Sequence, residues 1–489
     1  MRTKNTMKTF LYGIILTSII AILGLIKSKI LLTYLGAEYV GVYQLFSQIY
    51  VYLSLVDGGI GASIAYHLYK PIHDKDDKKI NEIVMGAKSY FNKVGIIVII
   101  LGIILSFGIM FFINETTISA WYIKICFILF IISGACSYFT STHAIIYEAE
   151  QKLYKSSNLN HLLSICESIG AIVIALLGGK LLTILTAFLI MSIIKNIILV
   201  LNSKRDHKYL RKVETKDDSF KKETNNLIIN KINTLIFENV DIILVSKFLG
   251  LTSVFIYTAY NQIISMLTQM VQRLNSALIP SIGNLLVTEK EKSKATFIEL
   301  NSFLFYIGSL LFVPLFYMIS PFIGNWYGNE YVTTKVVSLL FSMILYINII
   351  KISLDTYIKA SGEFKSVRNC AIYQSVVNLA LSLILIQKFQ IAGALFATVF
   401  AFITGNFIHY PRIISKKIIN DKVSNYYKKC IKYLIGLGVN VIVCYFVSNL
   451  FDNSSLLMWF TNSIIIFIIN FILTTLYYYF TKEMPFIEK

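Results

Sequence analysis

The chain has 489 residues, 56% of them hydrophobic and 15% charged. Soluble domains carry about 25% charged residues, so a soluble enzyme or nucleic-acid-binding domain is excluded and a polytopic, all-α membrane protein is expected, with no soluble domain left over. The formal charge of +18 reflects membrane topology, because the basic residues gather in alternate loops and no basic patch with interleaved aromatics stands apart.

Crossing about 30 Å of hydrocarbon takes about 20 apolar residues as a helix. Such runs are expected at 8–33, 40–68, 86–113, 119–147, 159–178 and 181–202, then at 224–249, 254–286, 296–319, 332–358, 368–386 and 391–411, and last at 430–449 and 457–480. That makes about fourteen spans. The first run has a basic flank (Arg2, Lys4, Lys8) but is too long for a signal peptide and lacks a small-residue cleavage site, so it reads as span 1. Loops on one side are short, and their only basic residues are Lys180 and Lys388. The opposite loops carry KDDKK at 75–79, the mixed charge of 203–223 and KEKSK at 290–294. This asymmetry predicts that both termini are cytoplasmic. The segment 203–223 reads as a solvated linker.

The chain is an internal duplication. Leu35–Tyr43 (LGAEYVGVY) returns as Leu249–Tyr257 (LGLTSVFIY) at an offset of 214, and Tyr154-Lys155-Ser156 is echoed by Phe364-Lys365-Ser366. The expected organisation is a six-helix lobe at 1–203, a charged cytoplasmic linker at 204–223, a second six-helix lobe at 224–415, and two appended helices with their loop at 416–489. An even number of spans per lobe makes the repeats parallel, related by a pseudo-two-fold axis along the membrane normal, an arrangement of transporters. Span 2 carries Asp57-Gly58-Gly59-Ile60-Gly61-Ala62-Ser63, and span 8 carries Arg273-Leu274-Asn275-Ser276-Ala277 before Pro280. Small residues there serve close packing, a hinge, or backbone lining a cavity.

Charges inside spans are expensive unless paired or wet. Lys27 and Asp241 occupy the same position in the two repeats, and Asp57 maps two residues from Arg273. These four are candidates for the substrate cavity and its gating, as cross-lobe pairs of Lys27 with Asp241 and Asp57 with Arg273, or as separate static pairs with nearer neighbours. Lys351 and Asp355 form an i,i+4 pair on span 10, which Lys359 continues. Glu238, Asp241, Asp57 and Asp355 are candidates for coupling to H+ or Na+, and Glu167 is a further acid within span 5. Cys126, Cys136, Cys166, Cys370, Cys430 and Cys444 lie in or beside apolar runs without metal-ligand spacing, and the six histidines are scattered. No metal site or other cofactor is expected. No nucleophile motif, zinc motif or phosphate-binding loop is present, which argues against a membrane polymerase, ligase or acyltransferase.

The stretches SLVDGGIGASIAYHLYKPI (54–72), EAEQKLY (148–154) and NVDIILVSKFLGLTSVFIYTAYNQI (239–263) resemble the bacterial polysaccharide transporter family. These are the repeat-unit flippases of O-antigen and capsule assembly, in the exporter superfamily that also holds multidrug/cation antiporters and the lipid II flippase. The resemblance runs over most of 8–415. It implies a bacterial cytoplasmic membrane location and two lobes in the manner of the multidrug antiporters, with spans 1, 2, 7 and 8 lining a cavity. It also implies a lipid-linked oligosaccharide substrate, carried on undecaprenyl pyrophosphate and moved to the outer leaflet, with membrane lipids, a polysaccharide polymerase and chain-length machinery as partners. Lys27 stands where relatives place a basic residue before the LG break, and Arg273 is a second cation for pyrophosphate. The membrane part has few arginines for such a cavity, which leaves room for a different phosphate site or a less anionic glycan. Drug/cation antiport is the alternative within the same superfamily.

Overall fold

The computed structural model describes residues 2–220 and 240–485, and among them there is helix and no strand. The chain divides into two compact units, Ile15–Phe255 and Ile256–Lys489 joined by the first fourteen residues. The first unit is built from α1 (Arg2–Leu35) from Ile15 onward, α2 (Ala37–Leu53), α3 (Gly61–Asp74), α4 (Asp77–Gly108), α5 (Ala120–Ala135), α6 (Ser141–Ala149), α7 (Tyr154–Leu176) and α8 (Leu181–Asp206), with α9 described over 240–249. The second holds most of α10 (Leu251–Thr288), then α11 (Lys290–Trp326), α12 (Lys335–Ser361), α13 (Phe364–Thr404), α14 (Asn406–Ile413), α15 (Val423–Ser448) and α16 (Leu456–Phe480).

Ten stretches of the described chain are long and apolar enough to cross a membrane, and eleven if the bent pair Ala37–Asp57 and Gly61–Asp74 counts as one span. One of the ten, Ser366–Ile418, has 53 residues, about twice what one crossing needs. It reverses at Gln390, where φ 52 and ψ −135 leave the helical region. This is a multi-pass helical membrane protein, as its composition requires.

The repeat is written in the backbone. Gly36 and Gly250 both take positive φ, +95 and +84, a conformation that only glycine adopts without strain. Each ends one helix and starts the next with equivalent bonds. Gly36 N donates to Leu32 O and Val40 N to Gly36 O, while Gly250 N donates to Ser246 O and Val254 N to Gly250 O. Span 2 bends by 45° at its glycines, where Gly58 and Gly59 have φ of 64 and 68. The related stretch of span 8, Arg273 to Pro280, stays helical within α10.

The packing boundary falls later than the expected linker at 204–223. The reason is that α9 is sewn to the first unit. Ser246 Oγ donates to Phe112 O at 2.6 Å, Asn114 N donates to Ser246 O at 3.1 Å, and the Lys247 ammonium lies 4.0 Å from the Phe111 ring centroid. A Cβ on Gly41 would stand 2.1 Å from Leu251 O, so α2 meets the α9–α10 turn through bare backbone.

Within the expected solvated linker, residues 207–220 are docked as a strap across the basic end of the first unit, with most of their side chains exposed. His207 and Phe220 are fully buried. His207 Nε2 lies 3.1 Å from Glu150 Oε2, and Arg211 N donates to Asn81 Oδ1 at 2.7 Å. Asp217 N donates to Glu82 O at 3.1 Å while its carboxylate pairs with Lys79 at 2.9 Å. Phe220 O accepts from Ser63 Oγ at 3.0 Å. Gly86 makes the strap possible, because a Cβ there would meet Asp217 O at 2.3 Å. The bond from Lys79 holds the Asp217 carboxyl down at about 2, against the opposing effect of its partial burial.

In the second unit α15 and α16 follow the repeat in sequence yet pack closely on α11. Pro314 in α11 has no N–H to give the carbonyl four residues back. Asn470 Nδ2 fills that gap, donating to Leu310 O at 3.2 Å and Ser309 O at 3.1 Å. The chain after α16 is clamped at Glu483. Its carboxylate accepts from Lys429 at 2.5 Å, Lys432 at 3.2 Å and the Tyr433 hydroxyl at 3.2 Å, and its carbonyl accepts from Ser302 Oγ at 2.6 Å.

Candidate functional site

The charges of the first unit fall into two places. Lys27 projects from α1 so that its ammonium sits 5.2 Å from the centroid of the Tyr43 ring on α2. That ring is fixed by edge contacts to Phe130 at 5.7 Å and Phe188 at 6.2 Å. A cation over an aromatic face is stabilised by the ring quadrupole by about 0.5–2 kcal/mol. Glu167 on α7 is within electrostatic reach of both Lys27 and Lys195 of α8, and the Lys195 ammonium approaches Asn160 Oδ1 at 3.4 Å. Among the described residues none of the three has an opposite charge within ion-pair distance. Two cations and one carboxylate therefore share a zone of the membrane bundle with positive charge in excess. The sequence offers Glu167 as an acid within an apolar run, but nothing in it links Glu167 or Lys195 to Lys27.

Lys27 and Asp241, expected as a pair, belong to this same unit but do not form an ion pair in it. Asp241 is 6% exposed on α9 and its field reaches Tyr52. Repeat equivalence by itself brings no contact.

Asp57 caps the bend of span 2. After the 3-10 turn Ser54–Asp57, its Oδ1 accepts from Gly59 N at 2.7 Å, and its carbonyl accepts from the Tyr90 hydroxyl at 3.3 Å. A short acid that bonds the backbone two residues on is an Asx turn. Its field also reaches Tyr50 and Tyr138, and the Tyr90 ring stands 6.4 Å from Phe220 of the strap. The bend, Tyr90 and the strap are thus in one contact chain.

Arg273 lies on α10, but its side chain is outside the described residues, and so is Glu238 altogether. The pairing of Arg273 with Asp57 stays an expectation. Lys351 and Asp355 are half-buried on α12, with Asp355 in electrostatic reach of Tyr410. Among the described residues no group of three His, Cys, Asp or Glu side chains is placed to hold a metal ion. All six cysteines are free thiols, with Cys166 exposed.

Solved structures share this fold. The lipid II flippase MurJ in an inward closed conformation superposes with a TM-score of 0.70 at 17% identity, over 96% of this chain and 99% of that one. An inward-facing multidrug resistance MATE family transporter of the MOP superfamily gives 0.65 at 12% identity, over 82% of this chain and 98% of that one. A MOP superfamily transporter from Pyrococcus furiosus, described as having a binding pocket of reversed polarity, gives 0.59 at 13% identity over 82% of this chain and 95% of that one. At these identities the likeness is one of fold. No curated protein sequence matches the chain. Residues 6–286, more than half of the chain, match the family described as polysaccharide biosynthesis protein, and the chain belongs to that family.

Proposed function

We propose that this protein is a flippase for undecaprenyl-pyrophosphate-linked oligosaccharide repeat units, carrying them from the cytoplasmic to the outer leaflet for assembly of O-antigen, capsule or exopolysaccharide. The observation that carries the reading is the excess positive charge inside the first unit. Lys27 rests on an aromatic face without a contact ion pair, and Lys195 shares a single carboxylate with it. A membrane cation held this way costs free energy and is retained where an anion visits. A pyrophosphate offers several acceptor oxygens and dense negative charge, for which an ammonium is a point-charge partner. Family membership supports a sugar polymer as the final product.

In this reading the basic loops of each unit, the strap of the first and the Glu483 clamp of the second, face the cytoplasm of a bacterial cell, and both termini lie there. Transport runs by alternating access, coupled to H+ or Na+ through membrane acids. Glu167 joins Glu238, Asp241, Asp57 and Asp355 as a candidate for that role. Asp241 and Arg273 remain cavity candidates, and a polymerase with its chain-length machinery would take the product.

The test is deletion with complementation, scoring surface polysaccharide and its lipid-linked intermediate in the same cells. Loss of surface glycan with the intermediate retained on the cytoplasmic side supports flipping, and Lys27→Ala should reproduce it. Unchanged surface glycan with accumulation of cationic compounds refutes it and favours drug/cation antiport.

A further inference from the structure

We propose that the second unit carries a saccharide-binding groove at the end remote from the Glu483 clamp. A cavity of about 760 Å³ opens there between the end of α11, the turn into α12 and the turn from α15 to α16. Ligand sites are typically about 300–1,000 Å³, so the space suits a short oligosaccharide better than a single ion. With the orientation given above, the groove faces outward. It is built wholly within Ile256–Lys489 and contains none of the charges of the first unit.

The lining chooses the ligand. Four carboxamides face the cavity, those of Asn325, Asn329, Asn449 and Asn453. Each carboxamide both donates and accepts, which matches a hydroxyl that does the same. Two of them are set by the protein. Asn325 Nδ2 donates to Asn453 O at 2.8 Å, and Asn453 Oδ1 accepts from Asn462 at 3.0 Å. The other two, Asn329 and Asn449, have no side-chain hydrogen bond among the described residues. Asn329 is nevertheless positioned, because its Oδ1 packs over Gly324, where a Cβ would come within 2.7 Å.

Aromatic rings complete the groove. Tyr317 uses its hydroxyl on Val441 O at 2.7 Å, so its ring is the part left to face a ligand. Tyr445 is half exposed at the rim. A sugar ring presents C–H groups on its flat face and hydroxyls on its edge, so aromatic surface beside carboxamides is the complement of a saccharide.

Charge argues against the other occupants. Lys335 and Asp452 are the charged groups in the lining, and they cancel. Asp452 is also engaged, accepting from Ser454 N at 3.1 Å and Ser454 Oγ at 2.7 Å. A phosphate headgroup needs a net positive site, and an acyl chain would strip water from carboxamides without replacing their bonds. The ligand class is therefore a neutral or weakly charged oligosaccharide. The inference rests on the flippase reading for where that glycan comes from, namely the head of the translocated lipid. The binding itself can be measured without that reading.

The experiment uses the full-length protein in nanodiscs of phosphatidylethanolamine and phosphatidylglycerol. The probe is a lipid-free oligosaccharide fraction released by mild acid from the host's surface polysaccharide, followed by saturation-transfer NMR. Saturable binding is expected, weakened at least fivefold by Asn329→Ala and by Asn449→Ala. Both asparagines are exposed, so each variant should keep the wild-type melting temperature, and that is measured alongside. The addition of sn-glycerol 3-phosphate, a headgroup probe, should not compete. Absence of binding to the wild type, wild-type affinity in either variant, or displacement by glycerol phosphate each overturns the proposal. Failure of the groove with glycolipid transport intact leaves the flippase reading standing. Binding in a protein whose deletion leaves surface glycan unchanged removes the flippase reading and keeps the groove.

Discussion

Replacing Gly86 by alanine should open the strap. The added Cβ would sit 2.3 Å from the carbonyl oxygen of Asp217, and both sides of that contact are backbone, so no side-chain rotation relieves it. The strap has to lift locally. Lifting breaks the bond from Asp217 N to Glu82 O at 3.1 Å and that from Thr215 Oγ1 to Glu82 Oε1 at 3.1 Å. Two such bonds are worth about 1 kcal/mol each. The Lys79–Asp217 pair is nearly half exposed on the lysine side and adds at most about 0.5 kcal/mol. The total of about 2 kcal/mol raises the fraction of open strap about thirtyfold. The usual gain from alanine over glycine in a helix, about 0.5–1 kcal/mol, stabilises α4 equally with the strap on or off and drops out of the difference. Arg211, Lys212 and Lys216 lie within the strap and are trypsin sites. Where reclosing is faster than cleavage, the rate of limited proteolysis follows the open population. Purified Gly86→Ala protein should be cut in 207–220 tens of times faster than wild type. An unchanged rate, at equal protease and temperature, would refute the docked strap.

Other outcomes follow from the same geometry. Phe220→Ala should lower strap protection further, since emptying a buried phenylalanine site costs about 3–5 kcal/mol, read by hydrogen exchange across 207–220. Asp57→Asn should keep the bend of span 2, because a carboxamide oxygen can still accept from Gly59 N, whereas Asp57→Ala should lose about 1 kcal/mol, seen as a lower melting temperature. Asp217 titrates at about 2 instead of the usual 3.8. A depressed carboxyl contributes stability above its unfolded pKa and loses it as pH falls through the folded one, so its share of strap protection should be constant above about pH 4 and fade between 3.8 and about 2. Glu483→Ala leaves two lysines without their shared carboxylate and should cost about 1.5–3 kcal/mol, detectable as a lower melting temperature of the full-length protein.

What the sequence disclosed and what it hid follow one physical rule. Patterns that repeat along the chain are legible, because a helix break needs a residue type at a position. The LG breaks are such a case. Leucine then glycine recurs at Gly36 and Gly250, and both glycines take the positive φ that explains their presence. Contacts between distant elements are not legible in this way. The strap looked like solvent-exposed linker because charged residues outnumber apolar ones in 204–223. Its two signals were a lone phenylalanine and a lone histidine within a charged run, Phe220 and His207, and both are buried. The surroundings of Lys27 are hidden for a related reason. A match of Lys27 with Asp241 rests on repeat symmetry, which fixes a position along the chain and not what surrounds it. For Lys27 that surrounding is the Tyr43 ring and the field of Glu167. Glu167 cannot neutralise both Lys27 and Lys195, so each lysine keeps a share of uncompensated charge within a helix apolar enough to cross a membrane. Removing Glu167 should therefore hurt folding more than removing Lys195, because it takes away the one carboxylate in electrostatic reach of both lysines. Lys195→Met, which leaves Lys27 and Glu167 balanced, should instead preserve the melting temperature and, on the proposed function, weaken transport of the glycolipid. A Lys195→Met protein that melts lower than Glu167→Gln would show that the three charges do not act as one zone.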